Sequence, residues 1–161
     1  MIWNTIFFKL KTKQMKKLFS VMALVLLFAS CKKSTDTVTI DSANPVGTFT
    51  ASKSGNLTAQ NGTPTTGIIQ LGTDTQGTTF LHLGSNFKTE LGTGTATVYL
   101  STSATFMANP GAGNPNLKLI GVVAGNGEKY YKIIGTVPAN FTYVIIWCGS
   151  ANIPFGNGQL L

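Results

Sequence analysis

Short runs of β-branched and aromatic residues alternate with glycine, asparagine and proline along most of this chain, from Val46 onward. Runs of this kind, bounded by turn-forming residues, are typical of β-strands. The pattern predicts eight strands, at residues 46–51, 66–71, 78–83, 96–101, 117–123, 129–134, 141–148 and 153–155. Because no segment shows a helical apolar period over three turns, we expect an all-β fold: a single β-sandwich or partly closed barrel of mostly antiparallel strands.

Three stretches refine this prediction. Asn126-Gly127 lies between two apolar pairs and favours a hairpin turn. Residues 101–116 contain Asn, Pro and Gly in close succession and predict a long exposed loop. Residues 141–148 are apolar on both strand faces, so we expect a central strand that is covered on both sides.

A short apolar stretch lies near the N-terminus. Residues 18–29 are apolar except for one serine and follow Lys16 and Lys17. A helix of this length would rise roughly 18 Å, too little to cross about 30 Å of hydrocarbon. These features are typical of a secretory signal peptide. The small residues directly before Cys31 resemble a lipobox, which predicts lipidation of Cys31.

The sequence therefore divides into three regions. Residues 1–30 are the expected lipoprotein signal peptide, in which residues 1–14 are either an extended n-region or an over-extended start. Residues 31–45 comprise the lipidated cysteine and a polar linker rich in Thr, Ser and Asp, a composition typical of a flexible tether. Residues 46–161 are the β domain.

Lipid on Cys31 would hold this domain at a membrane. We expect an extracytoplasmic protein of the cell envelope, anchored by lipid in the outer membrane. Lys32 and Lys33, directly after the lipid cysteine, resemble the lipoproteins of Bacteroidota.

The net charge does not indicate a nucleic-acid partner. The chain has twelve lysines and no arginine against five acidic residues, a formal charge of +7. Five of the lysines precede Cys31, so removal of the signal lowers the charge from +7 to +2. The remaining lysines are scattered and form no basic stripe of the kind that binds phosphate backbones.

Few residues after Cys31 could support catalysis or bind a metal. They are His82, Met107, Cys148 and five acids. No two of the His, Cys, Asp and Glu residues have metal-ligand spacing. Neither a C-x-x-C dithiol nor a G-x-S-x-G nucleophile elbow occurs. We therefore expect no metal site and disfavour an enzyme with its own substrate pocket.

Strand alternation places His82 opposite its two leucine neighbours and predicts a solvent-facing side chain, with a haem or metal ligand as the alternative. Asp74, Glu90 and Glu128 are isolated near predicted turns, where we expect them to contribute only solubility.

Cys148 is the candidate redox group. With lipid on Cys31, it is a lone thiol in an exported protein, and such a thiol is either reactive or a small buried hydrophobe. Strand alternation places it beside Ile146 in the interior, whereas the Gly149-Ser150 turn offers exposure at the strand end.

Several segments of the β domain resemble the DM-thirteen family. They are Gly47-Thr48-Phe49, Asn86-Phe87, Val98-Tyr99-Leu100-Ser101, a Gly-x-Gly-x-x-x-Tyr step at residues 125–131, and Val144-Ile145-Ile146-Trp147-Cys148 followed by Ile153-Pro154-Phe155-Gly156. The most specific element is the Trp-Cys strand followed by a short Phe-Gly strand. Two features depart from the family pattern: Gly92-Thr93-Gly94-Thr95-Ala96 replaces the usual Gly-Pro-Asp-Leu, and an early histidine has no equivalent near residues 63–67.

This resemblance implies a small all-β domain, found alone or beside DOMON-type redox modules. It also implies that the single cysteine, here Cys148, takes part in electron transfer with a protein partner, as a bare thiol or through a prosthetic group such as haem. The alternative is a non-catalytic binding or structural module that recognises a protein or glycan through its loops.

Overall fold

The computed structural model describes residues 44–106 and 114–161. The predicted signal peptide, Cys31, most of the linker and the centre of the predicted loop at 101–116 lie outside these residues. The strands are β1 (Thr50–Ala59), β2 (Gly67–Thr73), β3 (Thr79–Leu83), β4 (Ala96–Ser101), β5 (Leu117–Val122), β6 (Lys129–Lys132), β7 (Tyr143–Cys148) and β8 (Ile153–Gln159). The predicted all-β fold is confirmed. Within the described part of the chain, no helix could span a membrane.

The eight strands form one sheet in the order β5-β4-β7-β8-β1-β2-β3-β6. Every ladder is antiparallel, and the sheet curls into a nearly closed barrel. Odd-numbered strands run one way and even-numbered strands the other. The β1–β2, β3–β4, β5–β6 and β7–β8 connections therefore share one end of the barrel, which we call the Cys148 end.

Apolar side chains from alternate strand positions fill the barrel. This core includes Leu57, Ile69, Leu81, Leu83, Val98, Leu100, Val144, Ile146 and Phe155. β7 lies between β4 and β8, and its residues from Val144 to Cys148 are all buried. The prediction of a central strand covered on both faces is therefore confirmed.

The first strand differs from its prediction at residues 46–51, because β1 begins at Thr50 and extends to Ala59. Leu57 is its one fully buried residue, so apolar alternation could not reveal the strand. Ladders to β2 and β8 hold it in place. Gly55 allows this close approach, since a Cβ there would lie 1.8 Å from the backbone oxygen of Gln159.

Residues 44–49 instead form a segment that bends at Val46 and Gly47 and lies on the outer face of the barrel; we call it the N-terminal strap. The backbone N–H of Val46 donates to Asp74 Oδ2 at 3.0 Å, and its carbonyl accepts from Thr75 Oγ1 at 2.7 Å. Phe49 lies directly over Gly72, where a Cβ would come within 2.8 Å of the Phe49 ring. The strap thus covers part of the outer face of β2 and β3.

The predicted hairpin at Asn126-Gly127 is wrong. β5 forms its ladder with β4, and β6 forms its ladder with β3, so these consecutive strands flank an opening that we call the seam. The connection between them is engaged elsewhere: Gly127 N donates to Phe87 O at 2.9 Å, and Asn126 Oδ1 accepts from Thr89 N at 2.8 Å. These bonds to the β3–β4 connection replace those of a tight hairpin.

Two side chains bridge the seam. Tyr131 Oη donates to the Val122 carbonyl at 3.2 Å, and Lys118 Nζ donates to the Ile134 carbonyl at 2.8 Å. Side-chain hydrogen bonds thus join β5 to β6 and the residues that follow it where a backbone ladder would otherwise close the barrel.

Candidate redox site at Cys148

Cys148 is the last residue of β7, opposite Ala96 of β4 and Ile153 of β8. It is 0% exposed and belongs to the hydrophobic core that contains Ile146. The prediction of an interior position beside Ile146 is confirmed. Its thiol is free.

The connection after β7 folds back over the sulfur. Ser150 Oγ lies 3.3 Å from Cys148 Sγ and donates to the Thr93 carbonyl at 3.2 Å. Gly94 completes the cover: a Cβ at this position would lie 3.6 Å from the sulfur and 1.8 Å from Ser150 Oγ. The β3–β4 and β7–β8 connections therefore meet directly above the thiol.

The hydrogen bonds around the sulfur favour its ionised form. The Ser150 hydroxyl has the largest effect and lowers the pKa of Cys148, while burial of the thiol acts in the opposite direction. The backbone N–H groups of Ala151 and Ser150, and the Thr93 side chain, lower it further. Thiolate is the nucleophilic form of cysteine, so this environment combines a shielded sulfur with stabilisation of its reactive state.

Trp147 lies on the opposite face of β7, turned away from the core. Phe106 stacks on its indole ring, with centroids 3.8 Å apart and planes at 12°. Tyr99 packs edge-on against Phe106 at 5.1 Å. The Trp-Cys pair thus has an aromatic cluster on the outer face and the thiol on the inner face.

His82 is buried, not solvent-facing as predicted; it is 8% exposed. Its Nδ1 lies 2.8 Å from Gln70 Oε1 and its Nε2 lies 2.9 Å from Glu128 Oε1. Tyr130 stacks on the imidazole with centroids 4.2 Å apart, and Phe49 of the strap packs edge-on at 5.5 Å. Alternation correctly placed His82 away from the core, but the strap covers that outer face.

The prediction that Asp74 and Glu128 contribute only solubility is also wrong. Asp74 is buried and accepts hydrogen bonds from the backbone N–H groups of Val46, Gln76 and Thr78. These bonds lower the pKa of Asp74, and the bond from the Val46 N–H has the largest effect. Glu128 pairs with His82. Glu90 is half-buried, and its Oε1 accepts from Gly92 N at 2.6 Å.

The described residues contain no group of three or more His, Cys, Asp and Glu that could hold a metal ion. They also do not fit a haem. Both ring nitrogens of His82 are within hydrogen-bond distance of side-chain oxygens, and the Cys148 sulfur is enclosed by Ser150 and Gly94. Neither side chain is therefore free to bind a haem iron, and Met107 lies outside the described residues.

The family model described as electron transfer DM13 matches residues 56–160. This chain belongs to the DM13 family. The match covers every strand except the first residues of β1, and it includes Cys148, His82 and the connections that cover the thiol. No curated protein and no solved structure matches the chain.

The sequence singles out Cys148 as the candidate redox residue but does not indicate the residues that cover its thiol. The segment Gly92 to Ala96, which departs from the DM13 pattern, supplies Thr93 and Gly94 above the sulfur. Gly94 has a φ of +141°, a backbone conformation that favours glycine. The departure from the family pattern was therefore the available signal for this part of the site.

Proposed function

We propose that this protein is a lipid-tethered DM13 redox module of the bacterial cell envelope, in which the thiol of Cys148 exchanges electrons with a protein partner. The observation that carries the proposal is the set of hydrogen bonds that lowers the pKa of the thiol within an otherwise apolar core. A cysteine with only a packing role would need no such partners, and burial in apolar surroundings alone raises a thiol pKa.

The chemistry available to a single thiol is exchange with a disulfide. The Cys148 thiolate would attack one sulfur of a partner disulfide, forming a new S–S bond while the partner S–S bond breaks and its other sulfur leaves as thiolate. A thiolate of a reducing dithiol protein then attacks the Cys148 sulfur of the mixed disulfide and releases the partner's remaining sulfur as thiolate. The second thiolate of the reducing protein displaces Cys148 as thiolate and forms a disulfide with the first, so two electrons pass from that protein to the partner disulfide. Oxidation by a peroxide to the sulfenic acid is the parallel route.

Access to the sulfur requires movement of its cover. Cys148 is 0% exposed, but Ser150 itself is exposed and contacts the Thr93 carbonyl through one hydroxyl. Rotation of the Ser150 side chain or opening of the β7–β8 connection would uncover the thiol without disturbing the ladders of β7. We therefore expect a thiol that reacts slowly but specifically in the native protein.

The test is the intact mass of a Cys31→Ser variant, whose remaining cysteine is Cys148, after incubation with oxidised glutathione or maleimide. Native and urea-unfolded protein are compared, with Cys148→Ser as the control without a thiol. We expect a single adduct on native protein, formed more slowly than on unfolded protein. An adduct that forms only after unfolding would contradict the redox role.

The lipid tether is a separate part of the proposal, supported by the apolar stretch and lipobox-like residues before Cys31. Cells supplied with radioactive palmitate should label the wild-type protein and sediment it with the outer membrane. The Cys31→Ala variant should lose the label, whereas Cys148→Ala should keep it. Equal labelling of both variants would contradict lipidation at Cys31.

One observation favours the alternative function as a binding module. Cys148 is enclosed and packs within the hydrophobic core, as a purely structural cysteine would. Under this alternative, recognition of a protein or glycan takes place elsewhere on the barrel. Cys148→Ser would then change the stability of the domain but not its binding of the partner.

A further inference from the structure

A pocket of about 280 Å³ lies at the seam, and Cys148 is not among its lining residues. Its lining includes Asn44 of the strap, Val122 and Ala124 on the β5 side, and Glu128, Lys129 and Tyr130 on the β6 side. The volume is close to the lower end of ligand pockets, which begin at about 300 Å³. The pocket can therefore hold a small ligand or one unit of a larger one.

Glu128 is held in a fixed position at this pocket. Its Oε1 lies 2.9 Å from His82 Nε2 and accepts from Tyr130 Oη at 3.5 Å. The His82 side chain is 10% exposed, whereas that of Glu128 is 54% exposed. The imidazole thus anchors the carboxylate from below while leaving it accessible to hydroxyl donors of a ligand.

Tyr130 presents one face of its ring to the pocket. His82, on β3, stacks on the other face at 4.2 Å, and Phe49 and Phe80 pack edge-on at 5.5 and 6.3 Å. β3 and the seam lie on opposite sides of β6. The face that does not contact His82 is therefore turned toward the seam, where it forms a flat apolar wall held by three rings.

The charges of the lining favour a neutral ligand. Glu128 carries one negative charge and Lys129 one positive charge, so the lining residues have no net charge to attract an anion or a cation. Both residues, and Asn44, which also lines the pocket, have side chains that can donate or accept hydrogen bonds. A flat apolar wall next to such groups matches a sugar ring, which has a C–H face that packs on aromatic rings and hydroxyl groups around its edge.

We propose that the seam pocket binds one neutral saccharide unit, with Tyr130 against the ring and Glu128 accepting its hydroxyl groups. Asn44 belongs both to the strap and to the end of the predicted linker at residues 31–45. Saccharide binding beside the strap would fix the domain to a surface polysaccharide next to its own tether. Cys148 takes no part in this site, so the saccharide proposal does not depend on the redox function.

The test is a titration of the full-length protein, followed by ¹H–¹⁵N NMR, with four probes: D-glucose, N-acetyl-D-glucosamine, cationic D-glucosamine and anionic D-glucuronate. We expect millimolar binding of at least one neutral sugar, with shifted signals at residues of the seam pocket. The charged sugars should bind more weakly than their neutral counterparts.

Three variants localise the site. Glu128→Gln keeps an oxygen for His82 but removes the charge, and Tyr130→Leu removes the aromatic wall; each should weaken binding about tenfold, the loss of one good ligand contact. Ala124→Trp fills the pocket from an exposed position and should abolish binding without removing any core contact. Glu90→Gln is the matched control, because Glu90 lies outside the pocket, and should bind as wild type.

The proposal would be overturned if neither D-glucose nor N-acetyl-D-glucosamine bound at concentrations near its solubility limit. So would preferential binding of D-glucosamine or D-glucuronate, or unchanged binding in the Ala124→Trp variant. Cys148→Ser should bind the sugar normally, so failure of the redox function leaves this result unaffected.

Discussion

The Ser150 hydroxyl lies 3.3 Å from the sulfur of Cys148 and also donates to the Thr93 carbonyl at 3.2 Å. One hydroxyl group therefore ties the β7–β8 connection to the β3–β4 connection and contacts the thiol between them. When the thiol ionises, the same hydroxyl can turn its hydrogen toward the sulfur. Shielding and ionisation of Cys148 thus depend on a single side chain, and substitutions can separate the two effects.

Ser150→Ala should raise the pKa of Cys148, because the Ser150 hydrogen bond is the largest cause of its lowering. The removal of the hydroxyl also thins the cover over the sulfur. In the Cys31→Ser background, the rate of iodoacetamide labelling measured against pH should therefore show a higher midpoint and a higher alkaline plateau.

Ser103→Ala is the matched control, because Ser103 belongs to the β4–β5 connection at the opposite end of the barrel. Its labelling profile should equal that of the parent. A Ser150→Ala profile with an unchanged midpoint would show that this hydroxyl does not stabilise the thiolate.

Gly94→Ala should displace Ser150 from the Cys148 thiol through a steric clash. The new Cβ would lie 1.8 Å from Ser150 Oγ, and the φ of +141° strains any L side chain. We expect destabilisation of about 1–3 kcal/mol, measured by urea unfolding, and faster thiol labelling of the native protein.

Gly149→Ala is the comparison for this substitution. Gly149 adjoins Cys148, but a Cβ there meets no atom within 4 Å, so the variant should retain slow labelling. Equal labelling rates for the two alanine variants would argue against Gly94 as part of the cover.

The strands could be predicted from sequence where burial follows strand alternation. β3, β4 and β7 each place leucine, valine or isoleucine on the core face, and their predicted bounds are close to the observed ones. β1 could not be predicted, because it is mostly polar and is held by backbone ladders on both sides. Periodicity reports side-chain burial and carries no information on such a strand.

The same distinction separates the functional residues that the sequence could predict from those that it could not. Cys148 was placed correctly because its neighbours along β7 determine its face. The burial of His82 depends on Phe49, and that of Asp74 on Val46, and both contacts come from the strap. Such long-range contacts between short polar segments leave no periodic signal in a sequence, so isolated polar residues were wrongly expected to face solvent.

Asp74→Asn should loosen the strap in a pH-dependent way. The folded protein lowers the pKa of Asp74, chiefly through the bond from the Val46 N–H. The stabilisation is therefore fully present above the unfolded pKa, about 3.9, and is lost as the pH falls through the folded value. The variant should be less stable than wild type at neutral pH, and the difference should shrink below about pH 4.

Urea unfolding at several pH values measures this difference, and hydrogen exchange of the Val46 amide reports on the strap directly. Glu90→Gln, which alters a carboxylate in the β3–β4 connection, should leave Val46 exchange unchanged. A stability difference that is constant from neutral to acidic pH would contradict the role of the Asp74 charge.

Tyr131→Phe should weaken the seam. Tyr131 is buried, and its hydroxyl donates to the Val122 carbonyl at 3.2 Å, so its loss should cost about 1 kcal/mol. Hydrogen exchange should rise along β5, the strand that this bond joins to β6. Tyr143→Phe, which alters a half-buried tyrosine on β7, should leave β5 exchange unchanged.

The same hydroxyl makes the seam sensitive to alkali. Burial raises the pKa of Tyr131 to about 12, above the value of about 10 for an unfolded tyrosine. The stabilisation is therefore fully present below about pH 10 and is lost as the pH rises through the folded value. Wild-type protein should lose stability in urea between about pH 10 and pH 12, whereas Tyr131→Phe should lose less over that range. An equal loss of stability in both proteins over that range would contradict the role of Tyr131 ionisation in weakening the seam.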